Sequence, residues 1–345
     1  MVYGSERALV GGGAAADAGS EAATAVSLIP IIQAGAILLI GVAIIIANVL
    51  VIATLIMSPS QRDAMVYYVL SLAAADLLCG ILVVPLSVYP AVGRRWVYGE
   101  FVCRIEGYLE VCLWSVSVYT FMWISVDRYL AVKKPLRYET LQTRTRCQCW
   151  MVFTWITAAF LCCPPLLGFS TASYYEAGAL CLLEWSNMIA YSLTLAALVL
   201  GPSLITVIYT HIYIFHAIRK ARRPHINPAD KEHVAAVIEV AASAYHPMSL
   251  TLVLVFWMSW LPWLGLCAYE QIIGKVDMPL VHFSLIWLGV LNCFWKTIIY
   301  ITMNPEFRSS LRFFCTSICC CVIKSPRHTQ QQQMSQQPVL TTRQR

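Results

Sequence analysis

Four ionisable residues stand inside long apolar runs: Asp76 in LSLAAADLL, Glu110 in GYLEVCLW, Arg128 in ISVDRYLAV and Lys296 in NCFWKTIIY. A charge at the middle of a bilayer costs at least ~2.5–3.5 kcal/mol. Each of the four therefore needs an internal partner or a function. Two carboxylates and two cations can pair, hold an ion or bind a charged ligand. Asp76 fits either a helix-packing hydrogen bond to a Ser or Asn or an ion or switch site. Covalent chemistry finds no support: no nucleophile–base set stands out, and the seven histidines are scattered. No CxxC pair recurs with a second pair or with histidines, so no metal site is expected. The sequence reads as neither an enzyme nor a cofactor protein.

The elements that position these residues follow from composition. The chain has 345 residues, 59% hydrophobic and 12% charged, against about 25% charged in soluble domains. A hydrocarbon layer about 30 Å thick needs about 20 apolar residues in a helix. Seven runs meet that length: 29–57, 65–92, 101–132, 147–169, 187–217, 247–272 and 279–303. They are too long for barrel strands, which need about ten alternating residues. Helices also satisfy their own backbone groups in lipid. The expected fold is an all-α membrane protein, a seven-helix transmembrane bundle with a short interfacial eighth helix. The domain plan is a disordered extracellular N-terminus over 1–28, the bundle over 29–303, an amphipathic helix over 304–315 and a cytoplasmic tail over 316–345.

Orientation follows from the basic residues. One set of connecting segments and the tail carries 17 Lys and Arg; the opposite set carries Arg7, Arg94, Arg95 and Lys275. The first set belongs in the cytoplasm, so the N-terminus lies outside. The net charge of +6 is thereby spent at the membrane face, and no nucleic-acid partner is expected. Residues 1–27 lack the order of charges and apolar residues of a cleaved signal peptide. No Asn-x-Ser/Thr sequon occurs. Cys315, Cys319, Cys320 and Cys321 lie at the inner surface, where cysteines are palmitoylation candidates. The tail from Ser325 is Gln-rich and expected to be disordered.

Motifs then appear in order, one per span: Asn48 in ANVLV, LAAAD ending at Asp76, WVYG at 96–99 before Cys103 with DRY at 127–129, Trp155, Pro202, and Phe256-x-x-x-Trp260-x-Pro262. With Tyr300 ending the seventh span, this pattern resembles the rhodopsin-like G-protein-coupled receptor family across the whole bundle. The segments ISVDRYLAVKKPLRYETL, FWMSWLP and NCFWKTIIY are most similar to a small group of orphan receptors that couple to the stimulatory G protein and raise cAMP.

The resemblance implies a plasma-membrane receptor whose partner is a heterotrimeric G protein, with arrestin as a further partner. It implies a Cys103–Cys181 disulfide. Arg128, beside Asp127 and Tyr129, would be the inner switch, and Leu136 would plug into the G protein. The acid that some relatives place at the base of the sixth helix is Ala242 here, which implies a weaker lock. Trp260, Phe256 and Pro262 would transmit the signal along the sixth helix. Tyr209 follows Pro202 by seven residues where eight is usual. Tyr300 matches the tyrosine of the seventh-helix NPxxY motif, but its Asn and Pro are replaced by Lys296 and Thr297. In the family the acid matching Asp76, the serine matching Ser117 and that missing Asn help hold a sodium ion that favours the inactive state. Lys296 is expected close to Asp76, as a tethered ammonium in its place, with high basal activity a consequence.

Glu110 lies eighteen residues before Arg128, five turns away on one helix face. Amine receptors carry Asp there. Trp114, Trp260, Trp263 and Trp287 complete a candidate pocket suited to a cation–π contact. Three readings stand at this point: an amine ligand, an internal pair of Glu110 with Arg94, Arg95 or Arg104, or another small molecule or no ligand at all, with the outer loop 170–186 folded into the pocket. Retinal linkage is disfavoured, because the matching position is Val290. A transporter is the rival of another class, but the chain shows no repeated halves of the kind transporters carry.

Overall fold

The computed structural model describes residues 12–57, 64–168, 172–184, 189–223, 231–274 and 276–316, with side chains from Leu28 onward. Eight helices and one hairpin make up the main body, with shorter helices in the connections. They are α1 (Gly12–Met57), α2 (Ala64–Gly93), α3 (Gly99–Lys133), α4 (Arg144–Leu161), β1 (Ala172–Tyr175), β2 (Leu180–Leu183), α5 (Ile189–Ala221), α6 (Tyr245–Ile273), α7 (Pro279–Met303) and α8, residues 305–316. A cytoplasmic helix, Lys231–Ala242, leads into α6.

Six of these, α1 to α3 and α5 to α7, are long and apolar enough to cross a membrane by length and composition. The remaining member of the bundle, α4, is 18 residues long, about 27 Å at 1.5 Å per residue. The apolar run predicts a helix over 147–169, but α4 stops at Leu161. Pro164 and Pro165 follow, and proline neither donates a helix hydrogen bond nor tolerates a helical residue before it. The missing length is compensated at the other end, where Thr143 accepts from the Arg146 amide and opens the helix with basic residues at the headgroup level. Two indoles hold α4 to its neighbours: Trp155 donates to Ser71 Oγ at 3.0 Å, and Trp123 of α3 donates to Thr154 Oγ1 at 3.0 Å.

Two departures from the sequence reading concern the outer face. The backbone is helical from Gly12, where composition predicts a disordered tail through residue 28. The segment is rich in Ala, the best helix former, and it joins a helix already nucleated by the apolar run. The second outer loop carries β1 and β2, paired antiparallel with Tyr174 opposite Cys181. Four-residue strands are too short to register as a period-two pattern.

The prolines shape the bundle. In α2 and α5 a wide π-type turn, Cys79–Val83 and Ala196–Leu200, precedes Pro85 and Pro202. A proline ring displaces the carbonyl four residues back, which is Leu198 for Pro202. That carbonyl accepts a hydrogen bond from the Tyr119 hydroxyl of α3 at 3.0 Å. In α7, with Thr297 where the family has proline, the helix runs unbroken from Pro279 to Met303. Asn304 then caps α8, its side-chain oxygen accepting from the Phe307 amide at 3.1 Å, and Phe307 is buried against the bundle.

Large apolar side chains also cover the outside: Leu39, Ile56, Phe160, Ile205, Met258 and Ile272 are among those most exposed. Such a belt would be a liability in water and is the expected face toward lipid. Inside, small residues admit close helix approach. A Cβ on Gly289 of α7 would lie 2.8 Å from the Trp260 ring of α6. Gly289→Val should therefore overpack the α6–α7 seam and cost about 1–3 kcal/mol. The check is thermal unfolding of the purified protein, with Gly35→Val, which meets open space, as the neutral control.

Candidate functional site

Three stations line the bundle axis, and α3 contributes to all of them. At the outer end the Cys103–Cys181 disulfide anchors β2 to the top of α3. Three further contacts fasten the hairpin. The Tyr174 hydroxyl donates to Pro90 O at 3.1 Å, the Trp287 indole donates to Gly178 O at 3.0 Å, and Glu106 Oε2 accepts from the Cys181 amide at 2.9 Å. Glu106 is fully buried. Sequence reading passed over it, although its place one turn from Glu110 on the same face of α3 was a usable signal.

Beneath the hairpin lies a cavity of about 240 Å³ lined by Glu110, Trp114, Trp260 and Trp263 together with residues of α5, β2 and α7. Trp287 is not among its lining residues; buried, it braces the hairpin instead. Glu110 has no ion-pair partner among the described residues. Two of the outer-rim arginines have other carboxylates: Arg94 pairs with Glu176 at 3.6 Å and Arg104 with Glu100 at 2.7 Å. His282 of α7 meets Glu270 of α6 at 3.0 Å, a second carboxylate that sequence reading left unassigned.

From the cavity floor, aromatic rings descend in contact. Trp114 meets Trp260 edge-on at 6.5 Å and Phe256 at 6.3 Å, and Phe256 meets Phe121 at 4.9 Å. Phe121 in turn covers Lys296, whose ammonium lies 5.6 Å from the ring centroid.

Here stands the second station. Lys296 Nζ donates to Asp76 Oδ1 at 2.7 Å, and both side chains are buried, 3% and 2% exposed. The contact joins α7 to α2 across 220 residues of sequence. One turn along α7, Asn48 of α1 donates to Cys293 O at 3.1 Å. Several buried polar atoms nearby on α2 and α7 have no hydrogen-bond partner among the described residues: Asp76 Oδ2, Asn292 Nδ2, Thr297 Oγ1 and Tyr300 Oη. Ser117 is buried on α3, one turn before Phe121.

At the inner end Arg128 is ion-paired with its neighbour Asp127, and both are buried. The Tyr138 hydroxyl accepts from Arg128 at 2.9 Å and donates to Asp127 Oδ1 at 3.0 Å; Gln142 donates to the same oxygen at 3.0 Å. The guanidinium also lies 5.5 Å from the Tyr245 ring centroid at the start of α6, and the Tyr245 hydroxyl donates to Glu306 of α8 at 2.8 Å. The absence of an acid at Ala242 predicts a weak lock here; the contact of Arg128 with α6 is the ring face of Tyr245, while Tyr138 holds it from the segment after α3. Pro262 lies within α6. Tyr129 packs on Tyr213 at 4.8 Å and on Tyr209 at 5.9 Å, and Tyr209 is 57% exposed. The one-residue offset from Pro202 leaves Tyr209 partly exposed, in contact with Tyr129 of α3. Leu136 projects from the turn after α3, 60% exposed. Cys315 is exposed on α8; Cys319, Cys320 and Cys321 lie outside the described residues.

The 7 transmembrane receptor (rhodopsin family) model matches residues 47–300. G-protein coupled receptor 52 of Mus musculus is 29% identical over 268 residues, covering 74% of this chain and 73% of its own length. The histamine H2 receptor of Canis lupus familiaris is 29% identical over 254 residues, covering 70% and 68%. Squid rhodopsin, by crystal structure, superposes with a TM-score of 0.71 at 18% identity, covering 86% and 88%.

The buried pair sets a stability test. Removing one partner strands a charge and costs about 3–5 kcal/mol, whereas replacing both is close to neutral. Asp76→Asn alone and Lys296→Met alone should each unfold at markedly lower temperature, and the Asp76→Asn/Lys296→Met double variant should regain most of the loss. Additive losses in thermal unfolding would show that the two side chains do not act as a pair.

Proposed function

We propose, for a chain that belongs to the rhodopsin family of seven-transmembrane receptors, that its trigger is a small amine held by Glu110 and that its G protein is the stimulatory one. Family membership makes the chain a multi-pass plasma-membrane receptor, N-terminus outside, that transmits an extracellular signal to a heterotrimeric G protein. One observation carries the amine reading. Glu110 faces an aromatic-walled cavity and has no cation of its own among the described residues. A carboxylate so placed is stabilised by an incoming ammonium, and the indole faces of Trp114, Trp260 and Trp263 favour the same charge. Similarity to a receptor named for histamine agrees with that reading. Coupling to the stimulatory G protein rests on the likeness of the inner segments around Arg128 and Leu136 to receptors that couple in this way.

The mechanism runs down the axis. A ligand settling on Glu110 presses on Trp260, which Gly289 alone leaves room to lie against α7. Phe256 and Phe121 carry the displacement to Lys296. Pro262 lets α6 bend outward, Tyr245 leaves Arg128, and the freed arginine and the exposed Leu136 meet the G protein. Asp76 and Ser117 belong to the family's sodium site, and here the ammonium of Lys296 occupies it. A covalently held cation cannot dissociate, so sodium has no state to favour. Tyr129, Tyr209 and Tyr300 are assigned supporting roles, Tyr209 the least. Arrestin is the second cytoplasmic partner, and Cys315 with the three following cysteines is the lipid attachment site.

Two measurements of cAMP in transfected cells test the reading. Glu110→Gln should weaken a cationic agonist by about 10- to 100-fold, since a charge-assisted bond is worth ~1.5–3 kcal/mol; unchanged potency would discard the ammonium role. Basal cAMP of the wild type should not change when sodium is exchanged for an organic cation, and Lys296→Asn should acquire sodium suppression. Sodium suppression of the wild type would remove the tethered-cation idea.

A further inference from the structure

Two cysteines in the outer half of the bundle belong neither to the hairpin disulfide nor to the inner surface. Cys112 of α3 and Cys162, the residue that ends α4, are 6% and 0% exposed. Both stand as free thiols. Cys162 Sγ lies 3.6 Å from Ser115 Oγ of α3. Cys112 precedes Ser115 by three residues, which puts it on the same helix face one turn further out. The Cys162 sulfur reaches it there, and its thiol donates a hydrogen bond to the Cys112 sulfur. The Tyr108 hydroxyl donates to the same sulfur from one turn above.

A thiol is a weak donor and a weak acceptor, so hydrogen bonding gives these two sulfurs little reason to meet. Their place gives a better one. The end of α4 lies on the side of the Cys103–Cys181 bond, and Cys112 is nine residues below Cys103, about 13 Å along the helix. That side faces an oxidising compartment during synthesis. A second thiol pair, Cys79 of α2 and Cys293 of α7, is also in hydrogen-bonding contact. It flanks the Lys296–Asp76 pair in the middle of the bundle, far from any oxidant of that compartment.

We propose that Cys112 and Cys162 form a second disulfide, which ties the outer end of α4 to α3. The oxidant is a disulfide of the secretory compartment, carried by a protein or by a small thiol. Cys162 gives its proton to water and attacks one sulfur of that disulfide, forming a mixed disulfide and releasing one thiolate, which is protonated. As α3 and α4 pack, Cys112 gives up its proton and attacks the Cys162 sulfur. The new S–S bond forms, and the second thiolate leaves and is protonated. Two protein thiols are oxidised and one external disulfide is reduced to two thiols. Buried thiols exchange slowly, so the step belongs to insertion, before the bundle closes. Once it is made, α3 is held covalently to the hairpin at Cys103 and to α4 at Cys112, a fixed frame against which α6 moves.

The experiment is a peptide map of the full-length protein, alkylated with N-ethylmaleimide in intact cells, denatured in the same reagent and digested without reduction. The expected result is a cross-linked peptide joining Cys112 to Cys162 beside the one joining Cys103 to Cys181, with Cys79 and Cys293 alkylated. Alkylated Cys112 and Cys162 would overturn the proposal. Linkage of Cys79 to Cys293 as well would mark oxidation during work-up and overturn it too. In thermal unfolding, Cys112→Ala and Cys162→Ala should each lower the midpoint, and the double variant should fall no further than the less stable single one. Losses that add would show two separately packed thiols and no bond. The wild-type map decides the matter even where a variant fails to fold.

Discussion

An ion pair in hydrocarbon organises this bundle. Lys296 and Asp76 are each too costly to bury alone, and each is buried because the other is 2.7 Å away. The contact fixes the rotation of α7 about its axis and its height against α2. With that register set, Asn48 reaches the Cys293 carbonyl from α1, and Phe121 from α3 lies over the ammonium. The α6–α7 seam follows too, since Gly289 stands seven residues before Lys296 on the same helix and must meet Trp260.

That register connects the outer cavity to the middle of the membrane. Rings from α3 and α6 stand in successive contact between Trp260 and Lys296. Closely packed rings move together or not at all, because interiors packed to crystal density resist small displacements. The column ends on a charge, so a shift of a ring changes electrostatics as well as packing. On the proposed mechanism this is how a ligand on Glu110 is felt five turns away at Arg128.

The two ends are held by different means. Outside, a covalent bond and three hydrogen bonds clamp the hairpin over the cavity, and Glu106 serves the clamp rather than the ligand. Inside, the contacts are reversible. Arg128 is shared among Asp127, Tyr138 and the face of Tyr245, and the last of these ties α6 to α8 through Glu306. A cation–π contact is worth ~0.5–2 kcal/mol, enough to bias a closed mouth and small enough for a ligand to overcome. Strong fastening at the lid and weak fastening at the mouth suit a device that must keep its pocket and change its cytoplasmic face.

Much of this was legible in residue order. Run length gave the seven helices, because lipid demands about 20 apolar residues and satisfied backbone whatever the fold. Basic residues gave the orientation, and the cost of buried charge picked out Asp76, Glu110, Arg128 and Lys296 as the positions to watch. What the sequence lacked was distance. The end of α4 depended on Pro164 and Pro165 overriding hydropathy, and the helical start at Gly12 depended on continuity with α1. The hairpin depended on a partner strand and a disulfide. Whether Glu110 was paired, that Tyr209 stayed partly exposed, that Trp287 braced the hairpin and that the Tyr245 ring faced Arg128 were decided by helix rotation and by neighbours far away in the chain. Composition and spacing thus determined that costly charges sit inside a membrane bundle. The tertiary structure alone determined which charges meet, because a pair separated by 220 residues has no local signature.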